Sequence, residues 1–273
     1  MNQKTKGIIL WIVAIIFTLG IAVYQRTTGP TYPASGVIEF KNHQINYKLL
    51  RSSNSDAPAT IKLDDIPQGI EAVLHYRRFK TDEPLKQIDF MRQETDLIAL
   101  LPAEPPAGKL EYTVFLLSGD EKEAINIAPT VIRFKGPVPA NVLIPHILFM
   151  FLAMLFSSRT GIEALAKGPR LKSYSFYTLI FLFFGGMLLG PIVQKFAFGE
   201  YWTGWPFGAD LTDNKTAFAF LGWLVAYLFI RKDSKNRYWA IIAVIILLAV
   251  YLIPHSMFGS ELDYEKGTIE TGK

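Results

Sequence analysis

Hydrophobic positions along this chain follow two regimes. Five long apolar runs, Gly7–Tyr24, Ala140–Phe156, Tyr174–Val193, Thr216–Ile230 and Tyr238–Pro254, carry few polar interruptions. Each lies near the length a helix needs to cross a bilayer core, roughly 20 residues, and the fourth is the shortest. Between Thr27 and Pro139 the runs shorten, and Pro, Gly, Asn and Asp divide them. Eight of these runs read as strands: GVIEF, INYKLL, ATIKL, IEAVLHYRRF, KQIDFM, DLIALL, KLEYTVFLLS and PTVIRF. In KLEYTVFL the residues Leu110, Tyr112, Val114 and Leu116 alternate onto one face, as a half-buried strand requires. Short strands at this spacing predict a β-sandwich.

The fold expected is therefore an α+β membrane protein. Residues 1–26 form a transmembrane signal anchor, 27–138 an external β-sandwich and 139–256 a four-helix transmembrane bundle. Residues 257–273 form an external tail, whose ending KGTIETGK is expected to be disordered.

Composition agrees with a membrane protein: half of the 273 residues are hydrophobic, and mean hydropathy is positive. The net charge of +4 bears on topology. Lys4 and Lys6, then Arg159, Lys167, Arg170 and Lys172, then Arg231, Lys232, Lys235 and Arg237 occupy alternate inter-span segments. The positive-inside rule puts these in the cytoplasm, so residues 25–139 and the C-terminus fall outside. MNQKTK is a basic n-region, and no A-x-A-like cleavage site closely follows the first run, so an uncleaved anchor is expected. A bacterial inner membrane suits this arrangement. No stretch interleaves basic and aromatic residues like a nucleic-acid groove. The chain has no cysteine, which excludes disulfides, thiolate metal sites, iron–sulfur clusters and a thiol nucleophile.

In LLPAEPPAGKLEYTVFL, Leu101 and Pro102, a turn and then Tyr112-Thr113-Val114 resemble the strand signature of fibronectin type III and immunoglobulin-like domains. The resemblance covers residues 30–137. It implies a sandwich that binds or spaces other molecules, with the Tyr112 hydroxyl bonded to upstream backbone as a tyrosine corner. His43 and His75 read as structural or surface residues, and HYRRFK as a solvated strand face.

Candidate chemistry gathers at the outer membrane face. The tetrapeptide LIPH occurs at Leu143–His146 and again at Leu252–His255. The topology puts both copies outside, beside the loop between the third and fourth spans. That face is expected to hold His146, His255, Lys195, Glu200, Trp202, Trp205, Asp210, Asp213, Asn214, Glu261 and Asp263. Taken singly these are helix punctuation, an aromatic belt and helix caps. Taken together, His146 and His255 are candidate ligands for a divalent metal or the iron of a b-type haem. The loop from Gly199 into the fourth span loosely resembles the tryptophan-rich segment of membrane haem-handling proteins in cytochrome c assembly, on its Trp-rich stretch ending in an acid. No phosphate loop, G-x-S-x-G elbow or H-E-x-x-H motif is present.

The leading expectation is a non-enzymatic envelope protein that binds, assembles or joins a complex through its external face, with the bilayer and a protein as partners. The alternative is a membrane metal or b-haem protein using His146 and His255, with no cofactor required by the leading reading. A transporter ranks third, because the spans carry almost no ionisable residue at mid-membrane depth.

Overall fold

The computed structural model describes residues 2–254 and 260–270. Its long apolar runs are helices, since a helix satisfies every interior backbone group within its own segment. Helix α1 (Gln3–Thr28) starts at Asn2, whose side chain accepts from the Lys4 N–H. A stripe of Trp11, Ala14, Thr18, Ile21 and Gln25 faces the other helices, with Ala14 and Thr18 fully buried. Helix α2 (Ala140–Leu165) follows Pro139. Helix α3 (Leu171–Leu182) runs through a π-helical segment, Phe183–Leu189, into α4 (Gly190–Phe198). Helix α5 (Leu211–Lys232) leads by a single 3₁₀ turn to α6 (Tyr238–Leu252).

Among the described residues, four helices are long and apolar enough to cross a membrane: Lys4–Thr28, Ala140–Leu165, Leu171–Phe198 and Ser234–Leu252. The expected fourth span, Thr216–Ile230, lies inside α5, which is not among them. Asp213 and Lys215 near its start, and Arg231 and Lys232 at its end, leave too short an apolar middle. Helix α5 nevertheless supplies the centre of the helical core. Trp223 is fully buried there with Leu247 and with Ala219, Ala226, Ala240 and Ala243, four alanines whose small side chains let helices approach closely.

The third span carries Gly190-Pro191 within it, between the π-helical segment and the rest of α4. The helix continues past this pair, with the π turn directly before the proline. Pro191 has no N–H, and its ring would crowd the carbonyl four residues back. In the π turn Gly190 N–H bonds Gly185 O, five residues back. Close approach falls on Gly185 and Gly186. A Cβ on Gly186 would stand 2.7 Å from Thr216 Cγ2, whereas one on Gly190 would meet nothing nearer than 3.6 Å.

The strands form a second compact unit, Pro30–Pro137 together with a hairpin from the C-terminal tail. Strands β1 (Ala34–Phe40) and β2 (His43–Leu49) pair antiparallel. A larger sheet has the order β3 (Ser52–Asn54), β11 (Thr130–Lys135), β9 (Lys109–Ser118), β5 (Glu71–Arg78), β6 (Lys86–Asp89), with β10 (Glu121–Ala124) also on β9. A three-stranded sheet has the order β4 (Ala59–Leu63), β8 (Asp96–Leu101), β7 (Met91–Gln93). Their inner faces share one core that includes Leu49, Ile61, Leu63, Leu74, Leu97, Leu110, Val114 and Ile132, compatible with a β-sandwich. All eight strand-forming runs are strands, and the alternation along β9 buries Leu110, Tyr112, Val114 and Leu116 as expected.

Tyr112 donates from its hydroxyl to Leu50 O at 2.8 Å. The partner is upstream but 62 residues away, so the bond ties β9 to the segment after β2 rather than making a local corner. The tail corrects another expectation. Its described residues form a hairpin of β12 (Glu261–Asp263) and β13 (Thr268–Glu270), so the described part of KGTIETGK is turn and strand in place of disorder. Gly267, at φ +67°, makes its turn, and Asp263 Oδ1 accepts from the N–H groups of Glu265 and Lys266.

Candidate functional site

The loop between α4 and α5 holds most of the predicted site. Gly199 ends α4 in the left-handed conformation (φ +89°), with its N–H on Lys195 O. Lys195 reaches its ammonium back to Gly199 O, near the Tyr201 ring. At the far end Asp210 caps α5, its Oδ1 accepting from Thr212 N–H at 2.7 Å and Asp213 N–H at 3.3 Å. Between these ends the first turn of α5 grips the loop backbone. Asp213 Oδ2 accepts from Thr203 N–H (2.6 Å), Gly204 N–H (3.0 Å) and the Thr203 hydroxyl (3.3 Å). Asn214 Oδ1 accepts from Trp205 N–H at 2.6 Å, and Gln194 donates to Thr203 Oγ1 at 2.6 Å. Gly204 is required here: a Cβ would stand 2.7 Å from Asp213 Cβ and from Asn214 Oδ1. The Trp202 indole donates to Trp205 O, while the Trp205 side chain and Phe207 are about four-fifths exposed. The peptide bond between Trp205 and Pro206 is cis. Glu200 is exposed.

The fold thus brings Trp202, Trp205, Asp210, Asp213 and Asn214 together, and spends their polar groups on closing a loop. Among the described residues, no group of three or more His, Asp and Glu side chains is placed to hold a metal ion. His146 lies in the second turn of α2, half-buried, with Nδ1 2.9 Å from Gly185 O on the π segment. The same segment meets α5 on its other side, where Gly186 faces Thr216. His255 lies outside the described residues, so the pairing of the two imidazoles falls outside them too. Glu261 and Asp263 belong to the strand unit, on the tail hairpin.

Polar side chains also fix the helix ends. Lys215, almost fully buried, donates to Ile253 O at 2.8 Å just past α6, so α5 and α6 are antiparallel. Gln25 of α1 donates to Tyr251 O on α6, and the Tyr251 hydroxyl to Met150 O on α2.

A second polar cluster went unpredicted. Arg159 was expected in a loop, but α2 continues past Phe156 and carries it into the helical core. Its Nη1 lies 2.7 Å from Glu163 Oε2, and both side chains are 4% exposed. The guanidinium sits 4.8 Å from the Tyr174 ring centre and 5.6 Å from that of Trp11. Glu163 Oε1 accepts from Arg170 N–H at the start of α3, and a Cβ on Gly168 would collide with this carboxylate. The same helices bury the hydroxyls of Thr18, Ser157, Ser158, Thr160, Ser175 and Thr178, with Thr18 3.5 Å from Ser158 and Thr160 3.4 Å from Thr178. The pair lies in the last two turns of α2, beyond the apolar run Ala140–Phe156. The signal was the i,i+4 spacing of Arg159 and Glu163.

No family model, no curated protein and no solved structure matches this chain.

Proposed function

We propose that the chain is a polytopic envelope protein. On this reading its strand unit is an extracytoplasmic module of immunoglobulin or fibronectin type III kind that takes a protein partner. Its helices anchor that module in the bilayer, and its role is binding or assembly rather than catalysis.

The observation that carries this reading is the tail hairpin, which packs on the strand unit although six helices separate it from the N-terminus. A tail that rejoins a unit inserted between α1 and α2 must return to the same side of the membrane. The number of crossings from α2 to α6 is then even. The three apolar spans there make an odd number, so α5 supplies the fourth crossing despite its charged ends. Its antiparallel packing on α6 suits that role. The positive-inside count supports an external strand unit, Trp-rich loop and tail. Within the sandwich, β9 with Tyr112 stands between β5 and β11, as the F strand of an immunoglobulin-like sheet stands between C and G. A bacterial inner membrane fits the cysteine-free external unit.

One observation favours the second reading, a metal or b-haem site. If Nδ1 of His146 donates to Gly185 O, the lone pair is on Nε2, the tautomer a metal-binding imidazole needs. Two measurements separate the readings. Reporter fusions after residues 80, 205 and 273 should all report an external location; a cytoplasmic C-terminus would overturn the topology. The detergent-purified protein should give no Soret band and no stoichiometric metal; either one would replace the binding module with the cofactor protein.

A further inference from the structure

The tail hairpin is two three-residue strands, too small to be stable alone. Its order comes from the surface beneath it, and that surface reads the tail residue by residue. Arg133 donates to Ser260 O at 2.6 Å, and Leu262 N–H to Ala107 O at 3.1 Å. Glu261 is held between two ammonium groups, Lys109 and Lys80, the latter at 2.9 Å. Burial pushes the Glu261 carboxyl up, but bonds and charge from the two lysines outweigh it and hold it below the usual carboxylate range. The Tyr264 hydroxyl accepts from Lys109 N–H at 2.8 Å and donates to Lys109 O at 2.9 Å, completing a strand-like pairing with a side chain. Arg78 lies over the Tyr264 ring, 4.7 Å from its centre. Gly108 leaves no room for a side chain: a Cβ there would stand 2.8 Å from Glu104 Cβ and Pro105 O and 3.0 Å from the Tyr264 hydroxyl.

The fit is incomplete. A cleft of about 240 Å³ remains between Phe79, Lys80 and Thr81 on one wall and Leu262, Tyr264 and Glu270 on the other. An occupant held by backbone pairing, one tyrosine and a part-exposed ion pair is replaceable by another segment with the same features.

We propose that Arg78, Lys80, Ala107 to Lys109 and Arg133 form a recognition groove for an extended acidic peptide bearing a tyrosine, and that the C-terminal tail is its resident occupant. The groove deepens the binding-module reading by naming its surface and the chemistry of its partner: a segment patterned Glu-x-x-Tyr that adds along Ala107–Lys109. The tethered tail competes at an effective concentration on the order of millimolar, so a partner engages only when it outcompetes or displaces the tail.

The test uses a fluorescein-labelled peptide, SELDYEKGTIE (residues 260–270), and three purified chains in detergent. These are the native chain, a chain ending at Gly259, and a full chain carrying Glu261→Lys and Tyr264→Ala. The last keeps every groove residue and covers the case in which truncation prevents folding. Anisotropy should show saturable binding to both altered chains, and at least about ten-fold weaker apparent binding to the native chain. Peptides carrying Glu261→Lys or Tyr264→Ala should lose about ten-fold or more, because each leaves groove charges or donors unpaired. No binding to either altered chain, equal binding to the native chain, or equal binding of a scrambled peptide would overturn the groove. The reporter fusions and absorbance spectrum test the envelope reading independently, so the two can fail separately.

Discussion

Tyr112→Phe isolates one hydrogen bond at the centre of the strand unit. Tyr112 is 1% exposed, and its hydroxyl donates to Leu50 O at 2.8 Å. Burial pushes the phenol well above its usual range, so it stays a donor at any working pH. Phenylalanine keeps the ring and its packing and removes only the donor. The net value of such a bond is about 1 kcal/mol. Leu50 is only part-buried, so its carbonyl can turn to water, and the loss stays at that level. One kcal/mol changes an opening equilibrium by about five-fold. Tryptophan fluorescence cannot read this change, because all five tryptophans, Trp11, Trp202, Trp205, Trp223 and Trp239, lie in the helical unit. Hydrogen–deuterium exchange on the full chain in detergent can. Peptides covering β9 and β5 should exchange about five-fold faster, while peptides covering α5 stay unchanged and act as the internal control. Unchanged exchange in β9 would show that water replaces the bond at no loss. Acceleration in α5 as well would show that the substitution does not act locally.

Two further substitutions test the helical unit. Asp213→Ala removes the carboxylate that gathers two N–H groups and a hydroxyl; a charged acceptor is worth about 1.5–3 kcal/mol. Exchange across residues 200–209 should rise about ten-fold or more, and an unchanged loop would mean that Asn214 and Gln194 suffice to hold it. Glu163→Gln should lower the thermal midpoint followed by tryptophan fluorescence, since breaking a buried pair costs about 3–5 kcal/mol. The double change Arg159→Met with Glu163→Leu should recover most of that loss, and a double variant as unstable as the single one would locate the effect in the Glu163 contact with α3 instead.

What could be read from sequence was whatever an apolar period announces. The strands appeared because alternation such as Leu110, Tyr112, Val114, Leu116 has one physical cause, a face turned inward. Strand β10, EKEA, was invisible for the same reason: it pairs with β9 through its backbone and leaves its side chains exposed or half-exposed. The end of α2 was misread because charge closes a hydropathy window, whereas in the fold Arg159 finds Glu163 one turn on and two aromatic faces beside it. Hydropathy counts residues singly, and an ion pair is a property of two. The tail was misread likewise. SELDYEKG is polar enough to be solvated alone, but Glu261 and Tyr264 have partners more than 150 residues away, a distance over which no local pattern carries information.

The repeated LIPH shows how context assigns roles that letters do not. In α2 the proline, Pro145, stands in the second turn, where it forgoes one intrahelical bond and the helix continues for twenty residues to Leu165. In α6 the same tetrapeptide begins on the last helical residue, Leu252, and Pro254 lies beyond the end, where a residue without an N–H cannot extend the helix. The carbonyl this termination leaves open, Ile253 O, is taken by the Lys215 ammonium. One copy is therefore carried inside a helix and the other marks a helix stop, and the polar groups around them follow suit. Asp210, Asp213 and Asn214 hold N–H groups at the start of α5 and in the preceding loop, as Lys215 holds a carbonyl after α6. A metal recruited to this end of the bundle would have to take Asp213 from three donors that already hold it. That competition is why the loop acids argue for a fastened surface rather than a ligand sphere.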